Sequence, residues 1–213
     1  MCVDVGAEIA NDLIALGLRE GTANIHPGQG TSNRRFFFHN AMLELLWVHD
    51  PEEAIADLTR PTHLWERWQN RQSECPFGIC LRPTASGSNS MAFPHWTYQP
   101  VYLPEPLSIA MGTNSDILSE PLLFQTPFGQ RSDQYSPDKA QPIKHPIGWR
   151  EVTRVELIQP MTNSPSPALQ AVLGTAQVSR RIGNHHGIAL GFDGEQSGQH
   201  IDCRPGLPLI FSW

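Results

Sequence analysis

The sequence predicts an α+β protein with a mostly antiparallel sheet, and three observations carry that prediction. First, a strand, a helix closing in Leu-Gly and three further strands occur in the same order at both ends of the chain, a βαβββ unit at each. Second, two apolar, aromatic-rich runs, TSNRRFFF and AMLELLWV, are separated only by His39 and Asn40, the spacing of a tight hairpin. Third, 19 prolines and 17 glycines are spread along the 213 residues, which suits many short strands joined by turns better than long helices.

In order along the chain, MCVDV reads as the end of a strand, and Glu8 to Leu18 places Ile9, Leu13 and Leu16 on one helical face. Gly17 stands where a left-handed residue ends a helix. Residues 19–30 form a Gly-rich strand and loop that leads into the hairpin. A turn at His39-Asn40 sets Arg35 opposite Glu44. Strand side chains alternate, so Asn33, Arg35, Phe37, Met42, Glu44 and Leu46 share one face, while Phe36, Phe38, Leu43, Leu45 and Trp47 share the other. The apolar face is expected to pack on a helix and the mixed face to line a hollow.

Asp50-Pro51-Glu52-Glu53 is a helix start, with Asp as cap, Pro at the first position and Glu three residues after the cap. A second helical stretch follows Thr62 through Leu64, Trp65 and Trp68, closing a first module of about residues 1–72. Residues 76–128 read as short strands punctuated by proline: PFGICLRP, WTYQPVYLP, LSIAMG and PLLFQTP. The polar stretch 129–145 is the linker candidate, and residues 146–213 form a second module. There VTRVELIQP is a strand and SPSPALQAVLG a helix capped by Ser166, with Pro167 at its first position and Gly174 at its stop. The strands AQVSRRI, HGIALGFDG and the run ending PLIFSW follow.

A formal charge of −6 offers no basic face for phosphates, so nucleic acid is not an expected partner. No apolar run reaches the roughly 18 residues that span a bilayer, and Met1 to Gly6 lacks the pattern of a signal peptide, so a cytoplasmic protein without membrane partners is expected. Cys2, Cys75, Cys80 and Cys203 form no Cys-x-x-Cys pair and are expected as reduced thiols.

Among the motifs, His26-Pro27-Gly28-Gln29-Gly30-Thr31-Ser32-Asn33 contains G-x-G but leads into a strand, so it lacks the helix of a dinucleotide site. It is either a tight turn or the lip of a pocket, with His26, Gln29 and Asn33 as polar contacts to a small ligand. The nine histidines contain no HExxH spacing; His185-His186 reads as turn, and His95 and His145, each beside a proline, as loop residues. Cys75-x₄-Cys80 is spaced wrongly for zinc, and Cys80 reads as a small buried hydrophobe. There is no G-x-S-x-G, and the serines of ASGSNS have no adjacent base. Arg154 and Glu156 share a face of VTRVELI, turned either to a pocket or to solvent. Trp96, Tyr98 and Tyr102 share a face of WTYQPVYLP, either as core or with a tyrosine hydroxyl as a polar handle. Arg204 is expected to pair with Asp202. Arg35 is expected to hold Glu44 in an ion pair, which would oppose a divalent cation there.

The stretch HPGQGTSNRRFFFHNAMLELLWV, with the Leu-Gly helix end and the Glu of LELL, resembles the bacterial glyoxalase-like domain proteins of the vicinal oxygen chelate superfamily. The resemblance covers about residues 3–83 and, more loosely, 143–213. It implies paired modules curled into an open, cup-shaped sheet, and chemistries that include isomerisation, ring-cleaving dioxygenation, epimerisation, thiol addition to antibiotics and simple drug sequestration. Metal sites in that superfamily take a His or Gln from the first strand and a Glu from the fourth strand of each module, a donor set suited to Zn, Ni, Mn or Fe. Glu44 matches one such Glu. The first-strand partner does not appear after Met1-Cys2-Val3, Arg154 stands about where the second His is expected, and PLIFSW has no carboxylate. A start codon further upstream would supply a fuller first strand.

The resulting expectation is a single glyoxalase-like domain over residues 1–213. It would bind a small anionic or carbonyl-bearing organic molecule in a cup through His26, Gln29, Asn33, Arg35, Glu44, Tyr98 and Arg154, without metal or other cofactor. Glu44 is the candidate base, weakened if an ion pair lowers its pKa. Two alternatives stand beside this. One is a divalent-metal lyase, isomerase or dioxygenase that uses Glu44 and draws a ligand from His26, His145 or a partner chain. The other is a non-catalytic homodimeric scaffold whose open sheet edge a second subunit covers.

Overall fold

The structure is a computed structural model that describes residues 1–83, 91–160, 164–173, 175 and 177–213. It is an α+β protein with three open sheets. The ASGSNS serines and Gly174 lie outside the described residues.

The first sheet contains β1 (Asn24–His26), β2 (Thr31–Phe37) and β3 (Met42–Val48), antiparallel and in that order. Its hairpin has the expected register, with Arg35 opposite Glu44 and Asn33 opposite Leu46. The chain start runs along the free side of β3, where Cys2 bridges Leu46 in parallel. Behind the sheet, α1 (Ala10–Ala15) buries Ala10 and Leu13 in one core with Phe36, Phe38 and Leu45, so the apolar hairpin face meets a helix. At the helix end Gly17 takes φ +106°, a left-handed conformation that glycine adopts without strain. Helices α2 (Pro51–Ile55) and α3 (Leu64–Gln69) follow; the Asp50 carboxylate caps α2 by accepting from the Glu52 and Glu53 N–H groups.

The middle sheet contains β4 (Gly78–Leu81), β5 (His95–Tyr98), β6 (Ile109–Gly112) and β7 (Leu122–Gln125), in the order β4-β7-β6-β5. Strand β4 runs parallel to β7, and the other pairs are antiparallel. This repeats the pattern of the first sheet, where the opening segment lies parallel beside the last strand and the earlier strands follow outward.

The third sheet contains β8 (Val152–Gln159), β9 (Val178–Ile182), β10 (Gly187–Phe192), β11 (His200–Asp202) and β12 (Leu209–Ser212), in the order β11-β12-β10-β8-β9. Helix α4 (Pro167–Leu173) joins β8 to β9, and its first turn is capped by Ser166 Oγ, which accepts from Leu169 N at 3.2 Å. Both ends of the chain open on an extended segment and a helix, but three strands follow α1 and four follow α4, and the pairing differs, which corrects the expected repeat. In the third sheet the strand after the helix returns parallel beside the first, whereas β1 lies at the far edge of its sheet from Cys2. Element order does not decide this, because a helical crossover can return a strand beside its predecessor or beyond it.

One aromatic core joins the first and third sheets: Phe38 meets Phe192 at 4.8 Å, and Trp149 stacks on Phe192 at 4.5 Å. Residues 129–145 pack against the hairpin, with Asp133 N donating to His39 O at 3.2 Å. His145, expected as a loop residue, is buried: its Nδ1 accepts from Arg19 N and its Nε2 meets Phe37 O, both at 2.9 Å. The four cysteines are free thiols. No helix among the described residues is long and apolar enough to cross a membrane.

Candidate functional site

The loop from His26 to Thr31 is built first by its glycines. Gly28 and Gly30 take φ +75° and +71°, and their N–H groups both donate to Glu53 Oε2, at 2.8 and 2.9 Å. The anion cradled by this G-x-G loop is thus a carboxylate of α2. The loop turns Gln29 inward, where it is buried. Gln29 Oε1 accepts from the Tyr102 hydroxyl at 3.1 Å and from the Tyr98 hydroxyl at 3.4 Å. Gln29 Nε2 donates to Thr31 Oγ1 at 2.8 Å, and Thr31 Oγ1 lies 2.9 Å from His26 Nδ1. In the tautomer whose Nδ1 accepts the Thr31 hydroxyl proton, the imidazole proton lies on Nε2. Burial lowers the His26 pKa, against an opposing pull from Glu44, so the neutral ring prevails at neutral pH. The ring leans on Tyr102 at 5.1 Å.

Beside this relay the mixed face of the hairpin presents Asn33 and Glu44. Asn33 is buried; its Oδ1 accepts from Asn24 N at 2.9 Å, and its Nδ2 donates to Glu44 Oε1. Glu44 and Arg35 form no ion pair, which corrects the expected one. Arg35 instead donates from Nε to Thr22 O at 2.7 Å and from Nη2 to Ala23 O at 3.4 Å, and lies over the Phe37 ring at 5.2 Å. Burial lowers its pKa, while Glu44 acts in the opposite sense.

The facing wall comes from the middle sheet. Register places Cys80, Phe124, Met111 and Trp96 in one row, with Ile109 and Tyr98 in another, and Tyr98, Ile109, Met111 and Leu122 form a small apolar cluster. Cys80 is exposed, not a buried hydrophobe. Crowding by protein atoms, and then Glu44, push its thiol up to about 12, so it is not a thiolate at neutral pH. Tyr102 is pushed up chiefly by burial, with contributions from Tyr98, Glu44 and Cys80. Five expected site residues, His26, Gln29, Asn33, Glu44 and Tyr98, therefore come together, with Arg35 opposite Glu44.

Arg154 does not join them. It lies on β8 in the third sheet, where Glu195 grips it with two bonds of 2.6 and 2.9 Å and Glu156 stands 3.6 Å away. Arg181 completes this surface network through Glu156 at 2.8 Å. Tyr102, Thr31 and Cys80 were not among the expected ligand contacts. The shared spacing of Trp96, Tyr98 and Tyr102 was the available signal for Tyr102.

The Asn33–Glu44 face suits a metal poorly: its carboxylate shares one oxygen with an amide donor, Arg35 stands opposite it in register, and the Cys80 thiol is protonated. A group that could hold an ion lies elsewhere: ligand atoms of His39, Asp133 and Glu151 fall within 4.8 Å of one another. Arg131 bridges both of its carboxylates, binding Asp133 at 2.7 Å and also Glu151. Arg204 pairs with Asp202 as expected.

No family model matches the chain, and no curated protein does. Among solved structures, the fold is similar to the crystal structure of a hypothetical protein from Staphylococcus aureus, at 10% identity and a TM-score of 0.51. The alignment covers 92% of this chain and 90% of that one.

Proposed function

We propose that the chain is a glyoxalase-like protein of the vicinal oxygen chelate superfamily, whose cup lies between the first and middle sheets and binds a small carbonyl-bearing acid without metal. The matching strand order of these two sheets supports the pairing. The observation that carries the function is the relay from Tyr102 through Gln29 and Thr31 to His26. In the tautomer whose Nδ1 accepts from Thr31, the His26 Nε2–H is left as a donor for a ligand carbonyl. Arg35 supplies the counter-charge for a carboxylate, the second oxygen of Glu44 accepts a ligand hydroxyl or α-proton, and Trp96, Met111 and Phe124 form the apolar wall.

Phenylpyruvate has all four features and serves as the probe. Titration monitored by tryptophan fluorescence is expected to saturate, and Arg35→Met to weaken binding at least about tenfold, or roughly 1.4 kcal/mol. Arg154→Met, on another sheet, leaves it unchanged. Absence of saturation, or equal loss in both variants, rejects the reading. Elemental analysis of protein purified without chelators separates the metal alternative: a stoichiometric transition metal lost in Glu44→Ala would favour the divalent-metal enzyme.

A further inference from the structure

A second recess, of about 260 Å³, opens between the Ile117–Glu120 turn, the end of β8 and the start of α4, and shares no lining residue with the cup. Arg67 holds the turn that forms one wall. Its buried guanidinium donates to the carbonyl oxygens of Ser115, Ile117 and Leu118 at 3.1, 3.0 and 3.3 Å and of Glu120 at 2.5 Å, fixing the turn. The Glu120 carboxylate is already occupied: Oε1 accepts from Ser166 N at 2.7 Å, and Oε2 from Ser166 Oγ at 2.6 Å and Asn114 Nδ2 at 2.9 Å.

Two other lining groups are not. Gln159 is only 4% exposed, and its Nε2 donates to Ser119 O at 2.9 Å, which leaves Oε1 buried without a partner. Arg180 pairs with Leu157 across the parallel strands, so it shares a sheet face with Gln159. Its Nε is buried without a partner, and it joins no ion pair among the described residues. A buried acceptor and a buried cationic donor left unmet on one recess are costly, and a molecule that satisfies both removes the cost. Ile117 and Leu169 supply the apolar remainder.

We propose that this recess binds a small hydroxycarboxylate, its carboxylate on Arg180 and its hydroxyl donating to Gln159 Oε1. The recess is smaller than the roughly 300 Å³ of the smallest drug-sized pockets, which favours a ligand of about two to four carbons. Saturation-transfer NMR on the full chain tests this, with glycolate as probe and acetate as the probe lacking the hydroxyl. Glycolate is expected to bind at least about tenfold tighter than acetate, the discrimination of one satisfied hydrogen bond. Arg180→Met abolishes binding of both probes, Arg180→Lys retains glycolate, and Gln159→Met erases the difference between the probes. Arg35→Met, in the cup, leaves glycolate binding intact. No transfer to glycolate would mean that water alone fills the recess and overturns the proposal. Binding that survives Arg180→Met, or is lost in Arg35→Met, overturns it as well. Should Gln159→Met fail to fold by circular dichroism, the contrast between Arg180→Lys and Arg180→Met decides.

Discussion

At the scale of single residues, the polar groups that matter most are those with partners far away in sequence. Gln29 reaches Tyr98 and Tyr102 from a loop roughly seventy residues earlier and thereby ties the first sheet to the middle one. Gln29→Leu would leave both hydroxyls without that acceptor and is expected to cost about 1–3 kcal/mol in urea denaturation; a midpoint unchanged from wild type would show that the tie carries no load. Arg67 is a buried cation whose guanidinium bonds are all to carbonyl oxygens. Arg67→Met, close in length, strands those carbonyls, and a loss of about 3 kcal/mol or more is expected by the same measurement. The Arg35–Glu44 pair shows why register alone did not predict a contact. Opposed residues have close Cβ atoms, but a long guanidinium can swing away, and Arg35 does so toward the Thr22 and Ala23 carbonyls. Asn33, the diagonal neighbour on the same face, takes the carboxylate instead.

At the scale of elements, α2 serves two purposes. Its Asp50 cap and Pro51 start were legible, because the capping pattern is local and needs no partner beyond three residues. The binding of Glu53 to the Gly28 and Gly30 N–H groups was not, since it depends on the loop folding back over the helix. Glu53→Ala is expected to lower stability by about 1–3 kcal/mol and to loosen Gln29, so thermal melting and probe affinity in the proposed cup should fall together. A stability loss with unchanged affinity would show that the loop holds its shape without the carboxylate. Gly30→Ala should be at least as damaging. A Cβ there would stand 2.1 Å from Asp50 O, at a backbone φ of +71°. The hairpin was read with its register because both strands and the turn between them lie within one short stretch.

At the scale of the whole molecule, three histidines spread along the chain, His26, His145 and His186, are shifted in the same direction. Burial is the leading cause that lowers each pKa from its ordinary value. A depressed histidine pKa means that the unfolded chain binds protons more readily than the folded one. The associated stability is present above about pH 6.5 and is lost as pH falls through the folded-state values. The urea midpoint is therefore expected to drop between pH 7.5 and pH 5.5, and His145→Gln to flatten that drop. A midpoint that held steady or rose on acidification would contradict this account. Local pattern by itself determined the α+β class, the hairpin and its faces, and the helix starts at Asp50 and Ser166. Each of these depends on alternation, capping or turn chemistry within a few residues. Only the tertiary structure decided which sheets are alike, that Arg154 sits in a salt-bridge network on the third sheet, that His145 is buried, and that Cys80 faces Glu44. Those facts depend on which strand lies beside which, and that choice is made by long-range packing, which no short window of sequence contains.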